Sequence, residues 1–502
     1  VAKTPLDKDL KKISALEAAA RAPGRRRALT AGLLFLILLL PFIWLVVGPT
    51  PGLFYVLAAG VIGGYMALNI GANDVANNVG PAVGSKALTM AGALVIAAVC
   101  EAAGAMLAGS DVVGTIAKGI VAPSALPDPR TFVLAMTAAL LAAALWLNLA
   151  TWIGAPVSTT HSIVGGVLGV GVAAGGLDAV GWNTMGAIAA SWVISPLLGG
   201  VIAAVFLAFI KLRILGQRDR LKAAATWVPV LVGVMGGAFT AYLMAKGVTH
   251  VVKTPPAAWA AAGLAVFAAV WAVTRVRVRR AAGALAGSRK DVARLFTGPL
   301  IVSAALLSFA HGANDVANAV GPLAAIVGAV SALDGGGLLQ GAVRVPGWVL
   351  LVGALGIAIG LVLFGPKLIH TVGEQITRLD PIRAFCVALS AAVTVLAASG
   401  LGLPVSSTHI AVGGVFGVGF LREWHANRGR GTLAAVLPPP EHEPAAKPTK
   451  PAKAAKQAEK SRRRRLVRRQ YMLTIATAWV VTVPLAAVLA AGMFKLLTMV
   501  LD

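Results

Sequence analysis

Apolar residues run along this chain in long blocks, not in the alternation of a half-buried strand or the one-sided stripe of a surface helix. A block of about 18 to 20 apolar residues is the length of helix that crosses the hydrocarbon of a bilayer. Spans are expected near 29–47, 53–70, 88–108, 131–152, 182–209, 227–245, 257–274, 297–310, 315–332, 347–364, 381–400 and 471–497. Two stretches depart from this pattern. Residues 1–28 are charged and are expected to form a short surface helix around Leu10–Ala22 in contact with membrane lipids. Residues 438–469, rich in Pro, Ala and Lys with no apolar period, are expected to be a disordered cytoplasmic linker. The fold class that follows is an all-α polytopic membrane protein.

Composition agrees: 58% of residues are hydrophobic, 13% are charged and the mean hydropathy is +0.83. A soluble domain cannot hide that much apolar surface. The net charge of +25 would point to nucleic acid in a soluble protein, but 34 of the 44 Lys and Arg residues fall in 1–28, 211–222, 275–294 and 422–469. Charge confined to loops reads as membrane orientation with attraction to anionic lipid, and excludes nucleic acid as a partner. Cys100 and Cys386 lie inside apolar blocks, so neither a disulfide framework nor a zinc site is expected. The first apolar run is too long for the core of a signal peptide and is taken as a span.

The polar residues inside the apolar blocks are repeated. Gly71-Ala72-Asn73-Asp74-Val75-Ala76-Asn77-Asn78-Val79-Gly80-Pro81 returns at Gly312–Pro322 with ten of eleven positions identical. Pro156-Val157-Ser158-Thr159-Thr160-His161, followed by Gly165-Gly166, returns as Pro404-Val405-Ser406-Ser407-Thr408-His409 with Gly413-Gly414. Ser191-Trp192 with Pro196 has an echo in Ala478-Trp479 with Pro484. Duplicated halves with polar, Gly/Pro-broken segments are the pattern of a secondary transporter whose site lies between repeats. If each Asn-Asp motif marks a break between membrane helices, and each Ser/Thr-His motif tips a re-entrant hairpin, all the basic loops fall on one side. The halves then become two inverted-topology repeats with discontinuous helices and two re-entrant helical hairpins.

Asp74 and Asp315 are costly at membrane depth unless paired, protonated or on a pathway. With Asn73, Asn77, Asn314 and Asn318 they offer a hard-oxygen set for Na+ at Asp74 and Asp315, or a carboxylate that takes up a proton. The competing reading is a pair of helix caps. Ser158, Thr159, Thr160, Ser406, Ser407 and Thr408 set three hydroxyls after a Pro and before a helix, which suits a tetrahedral oxyanion. The competing reading is hydroxyls bonded to their own backbone. His161 and His409 either brace the hairpins or take part directly. A membrane hydrolase is disfavoured, because the hydroxyls come in duplicated triplets without a single activated nucleophile.

At these motifs the chain resembles the inorganic phosphate transporter family, over roughly 53–210 and 297–497. The resemblance implies a phosphate symporter integral to a bacterial inner membrane, with phosphate and a coupling cation as partners and no cofactor beyond that ion, H+ favoured over Na+. Sulfate is the alternative substrate. It implies phosphate contact by the six hairpin hydroxyl residues and cation coupling through the Asn-Asp motifs. Glu101, 27 residues after Asp74, matches an acidic residue of the family tied to transport, whereas Ala388 stands where many members carry Glu. The domains read as a cytoplasmic segment 1–28, an extra span 29–47, a first transport repeat 53–210, basic loops with an extra pair of spans 211–296, a second repeat 297–421, a basic linker 422–470, and the last span of the second repeat 471–502. The extra spans are expected to serve packing or homo-oligomer contacts.

Overall fold

A computed structural model describes residues 5–153, 157–247, 249, 252–335, 345–375, 379–428 and 469–501. Among them the chain is almost wholly helical, and eleven segments are long and apolar enough to cross a bilayer. The elements in order are α1 (Pro5–Val47), α2 (Leu53–Gly84), α3 (Met90–Ala108), α4 (Ser110–Gly114), α5 (Pro129–Ile153), α6 (Thr159–Gly175), α7 (Trp182–Ile210), α8 (Arg220–Lys246), α9 (Pro256–Ala282), α10 (Arg289–Leu295), α11 (Thr297–Asp315), α12 (Ala317–Gly335), α13 (Gly347–Gln375), α14 (Pro381–Gly400), α15 (Ser407–Arg428) and α16 (Arg469–Leu501). Most of the linker expected at 422–470 lies outside the described residues.

Three expectations need correction. The surface helix around Leu10–Ala22 and the span 29–47 form one helix, α1. The first Asn-Asp motif does not break a helix: α2 passes through it to Gly84, with Pro81 inside its last turn. In the second copy the irregularity is a single residue, Val316, between α11 and α12, so the spans expected at 297–310 and 315–332 form one apolar run, Thr297–Ser331. The physical reason is where the Asn and Asp side chains bond. They reach other segments, as described below, and leave the backbone ladder of their own helix largely intact.

The packing is reciprocal between the two copies. In lipid, helices associate through close packing, so small residues mark the contacts. A Cβ built on Gly71 of α2 would lie 2.0 Å from the Ile357 carbonyl oxygen of α13, and one built on Gly312 of α11 would lie 2.0 Å from that of Glu101 in α3. A Cβ added at Gly104 would likewise collide with the Phe309 carbonyl, and one at Gly360 with that of Leu68. The first long helix of each copy therefore packs on the second of the other. The hairpins behave alike. α7, which follows the α5–α6 hairpin, packs along α15 and α14, while α16, which follows the α14–α15 hairpin, packs along α6 and α5. A Cβ added at Gly417 would collide with the Gly200 carbonyl and one at Gly169 with that of Ala487, at matching positions.

The hairpin tips meet. Thr160 Oγ1 donates to the Val405 carbonyl at 3.0 Å, Trp192 Nε1 donates to that of Pro404 at 3.1 Å, and the rings of His161 and His409 stand 4.7 Å apart. At 17 residues α6 is the leg too short to span. The extra pair α8–α9 packs largely on itself, and Lys246 at the end of α8 ties it to Asp111 of α4 at 2.8 Å. Beside that bridge Thr115 Oγ1 donates to Gly402 O at 2.7 Å, in the tip of the second hairpin, where Gly402 takes the left-handed φ of +69°.

Candidate functional site

Each hairpin tip delivers a helix start into the interior. Ser158 caps α6 by accepting from the His161 backbone N–H at 3.2 Å, and Ser406 accepts from that of His409 at 3.4 Å. These two hydroxyls are therefore caps, as Ser before a helix usually is. Ser158 also lies 2.8 Å from His161 Nδ1, and the His161 ring stacks on Trp192 with centroids 3.8 Å apart. Both histidines brace the junction of the tips.

The remaining hairpin hydroxyls face the Asn-Asp motifs. Thr159 Oγ1 donates to Asp74 Oδ2 and Thr408 Oγ1 to Asp74 Oδ1, both at 3.0 Å. Asp74 thus joins the tips of both hairpins. Ser407 Oγ donates to Asp315 Oδ2 at 3.2 Å. The asparagines finish the lattice. Asn77 donates to Thr408 Oγ1 at 2.8 Å, and Asn318 to Thr160 Oγ1 at 3.1 Å and Thr159 Oγ1 at 3.4 Å. Asn73 donates to the Val157 carbonyl at 3.3 Å and to Asp74 Oδ1 at 3.0 Å. Asn314 accepts from the Val405 N–H at 3.1 Å and donates to Leu403 O at 3.1 Å and Ser399 Oγ at 2.9 Å. All the candidate residues read from the sequence converge on this one region, apart from the two capping serines, which stand at its edge.

Two residues complete it that the sequence reading passed over. His311, 0% exposed, places Nδ1 3.1 Å from Glu101 Oε2 and Nε2 3.1 Å from Asp315 Oδ2, with Asp74 Oδ2 at 3.7 Å. Asn78 donates to Glu101 Oε1 at 2.8 Å. The signals were present: His311 stands four residues before Asp315, on the same helix face, and Asn78 is the one position at which the two motifs differ. Ala388, the position noted as departing from the family resemblance, is buried among the apolar residues of α14.

Asp74 and Asp315 are 1% exposed and Glu101 0%, and among the described residues His311 is their only partner at ion-pair distance. Three carboxylates in a water-poor interior with no Lys or Arg beside them require added cations, protons included. The His311 contacts state part of that requirement. The ring nitrogens stand 3.1 Å from Glu101 Oε2 and Asp315 Oδ2 without making a hydrogen bond, so both buried nitrogens are left unsatisfied by the protein itself. Asp74, His311 and Asp315 also bring one ligand atom each within 4.8 Å of one another, a spacing at which one cation can bridge them.

Known proteins carry the same organisation. The chain is 53% identical over 387 residues to a protein of Helicobacter pylori strain J99 named "Putative phosphate permease", covering 77% of this chain and 72% of that one. It is 36% identical over 443 residues to a Thermococcus kodakarensis protein of the same description, covering 88% and 97%. A solved structure titled "The sodium-dependent phosphate transporter" superposes with a TM-score of 0.76 at 34% identity, over 89% of this chain and 99% of that one. These relatives are permeases and transporters, not enzymes. The sequence pattern of the phosphate transporter family spans residues 70–490, from the helix that bears Asp74 to the helix that closes on the first hairpin, and this multi-pass integral membrane protein belongs to that family.

Proposed function

We propose that the chain imports inorganic phosphate across a bacterial plasma membrane by cation symport, through two inverted repeats that alternate access to one site. The observation that carries this reading is the pair of hydrogen bonds at Asp74, whose carboxylate accepts from Thr159 of one hairpin and Thr408 of the other. Those hydroxyls are the donors a phosphate needs. A Thr hydroxyl has one hydrogen, so it serves the carboxylate or the substrate but not both. A proton or Na+ on Asp74 weakens its hold as an acceptor and frees Thr159 and Thr408 to turn to phosphate. The backbone N–H groups at the starts of α6 and α15 add donors oriented by two helix dipoles. Without that cation, phosphate meets three carboxylates of its own sign. Coupling is therefore an electrostatic necessity of the site.

The exchange of α7 and α16 between hairpins supports the inverted arrangement, because each half then completes the other around the tips. The division into repeats at 53–210 and 297–421, closed by 471–502, follows the same partners. Sites assigned on this reading are Thr159, Thr160, Ser407 and Thr408 for phosphate, Ser158 and Ser406 as caps that set their helix starts, and Asp74, Asp315, Glu101, Asn73, Asn77, Asn314 and Asn318 for coupling.

For the coupling ion, the placement of His311 between Glu101 and Asp315 favours H+, since a titratable ring stands 3.1 Å from two buried carboxylates that could share a proton with it. A second reading, Na+ at Asp74 and Asp315, is favoured by the solved relative, which is titled sodium-dependent. Uptake of labelled phosphate into proteoliposomes, with pH and Na+ gradients imposed separately, decides between them. Accumulation driven by an inward proton gradient is expected. Accumulation driven by Na+ alone promotes the second reading, insensitivity to both removes symport, and preference for sulfate moves the substrate assignment.

A further inference from the structure

Far along the second hairpin from its tip, four cations converge that the transport site does not use. Lys211 follows the end of α7, Arg289 opens α10, Arg383 stands in the first turn of α14, and Arg422 lies late in α15. The packing brings these elements together: α7 lies along α15 and α14, α14 along α15, and α10 touches α14. Arg289, Arg383 and Arg422 are near enough to Lys211 to repel its charge, and Lys211 is near enough to His425 to do the same. Arg422 feels Arg383 and Arg289, and one carboxylate, that of Asp380.

Asp380 is already engaged. Its Oδ2 pairs with Arg383 Nη2 at 3.0 Å, and its Oδ1 caps α14 by accepting from the Arg383 backbone N–H at 2.9 Å. Among the described residues Asp380 is the one carboxylate shown to act on Arg422, against four basic side chains, so positive charge is in excess. Lys211, Arg383 and Arg422 are half-buried, and Arg289 completes the rim from the exposed surface. The basic residues that only set orientation look different. Arg279, Arg280 and Lys290 project into the exposed surface, where water and salt screen them. Like charges withdrawn from water at the junction of four helices repel one another, and burial holds even the Arg422 guanidinium below the usual arginine range. A counter-charge of at least two, with several acceptor oxygens, matches such a site.

We propose that Lys211, Arg289, Arg383 and Arg422 form a binding site for a phosphate-group anion at the open end of the second hairpin, distinct from the site at its tip. The chemistry fits two sources. One is the headgroup of an anionic phospholipid, reached from the surrounding leaflet. The other is free inorganic phosphate on the side of the basic loops. Either would bind Arg383 on one leg of the hairpin to Arg422 on the other and to Lys211 just past α7, and so set how easily the hairpin moves.

The test is thermal unfolding of the full-length protein purified in a neutral detergent. The probes are a short-chain phosphatidylglycerol, the same lipid with a phosphatidylcholine headgroup, and inorganic phosphate. Lys211→Gln and Arg422→Gln are compared with wild type, and Arg422→Lys serves as the charge-conserving control. Without anion, each Gln variant is expected to melt above wild type, because one repelling charge has been removed, while Arg422→Lys melts near wild type. A structural role for these side chains predicts the opposite order. Phosphatidylglycerol is expected to raise the melting temperature of wild type by several degrees and that of the Gln variants by less than half as much, with phosphatidylcholine inert. If inorganic phosphate separates wild type from the variants and the lipid does not, the free anion is the ligand, since the tip site contributes equally to both. The proposal is overturned if no anion distinguishes wild type from the Gln variants, or if those variants melt below wild type without anion.

Discussion

The two Asn-Asp motifs are nearly the same sequence and are wired differently. Their shared contacts repeat by symmetry: Thr159 on Asp74 matches Ser407 on Asp315, and Asn77 on Thr408 matches Asn318 on Thr160. The differences lie beyond the shared set. Thr408 also donates to Asp74, whereas its counterpart Thr160 spends its hydrogen on the Val405 carbonyl. Asp74 therefore links both hairpins and Asp315 only its own. In exchange, Asp315 has His311 and through it Glu101, where the matching positions of the other copy hold buried Ile70 and Ile357. Duplication supplied a symmetric scaffold, within which identical threonines bond differently at the two tips and His311 and Glu101 replace apolar counterparts beside Asp315.

The largest effect expected from breaking this comparison is at Asp74. Asp74→Asn keeps the side-chain size and should reduce gradient-driven phosphate accumulation in proteoliposomes to that of empty vesicles, a loss of about 100-fold or more if the buried charge carries the coupling. Asp315→Asn should also stop accumulation, but only Asp74→Asn should change how phosphate binding depends on the cation. Unimpaired accumulation in both variants would return the two residues to the role of helix caps.

The pairing of His311 with Glu101 is tested by making the polar half resemble the apolar one. Glu101→Ile and His311→Ile each strand a buried polar partner, at a cost of about 3 to 5 kcal/mol in stability. The double variant, which copies the Ile70 and Ile357 arrangement, should melt above either single variant. It should also lose the response of uptake to an imposed pH gradient. A double variant that adds the two single losses would show that the groups do not act as a pair.

A smaller, sharper contrast concerns the two threonines. Thr408→Val removes a hydrogen bond to a carboxylate, worth about 1.5 to 3 kcal/mol, or about 10- to 150-fold in an equilibrium constant. Thr160→Val removes one to a neutral carbonyl, worth about 0.5 to 1.5 kcal/mol. Phosphate affinity in detergent should fall in both, and hairpin stability should fall more in Thr408→Val. Equal effects on stability would erase the asymmetry at Asp74.

Much of this arrangement is legible in the sequence. Apolar blocks placed most spans, because burial in lipid demands length and little else. Yet α2, α9 and α13 run well past the expected ends at 70, 274 and 364, to Gly84, Ala282 and Gln375. The duplicated motifs brought Asp74, Asp315 and the hairpin hydroxyls together before any coordinates did, since polar residues at membrane depth are retained only where they meet partners. What could not be read depends on contacts between distant segments. The continuity of α2 through its Asn-Asp motif follows from side chains bonding to hairpins 84 or more residues away. The role of His311 follows from Glu101 lying on a helix 210 residues earlier in the chain. A single His ahead of a strong motif carries little weight until its neighbours are known.

The claim at the centre is that Asp74 and phosphate compete for Thr159 and Thr408, and that the coupling cation decides the contest. Equilibrium binding of labelled phosphate to purified wild type and Asp74→Asn, measured across pH and Na+ concentration, tests it most directly. Wild-type affinity is predicted to rise with one of the two cations by about tenfold or more, the scale of one hydrogen bond to a charged group. Asp74→Asn, which mimics the neutralised carboxylate, is predicted to bind phosphate with little response to either cation. An Asp74→Asn protein whose phosphate affinity follows the cation as steeply as wild type would contradict the account.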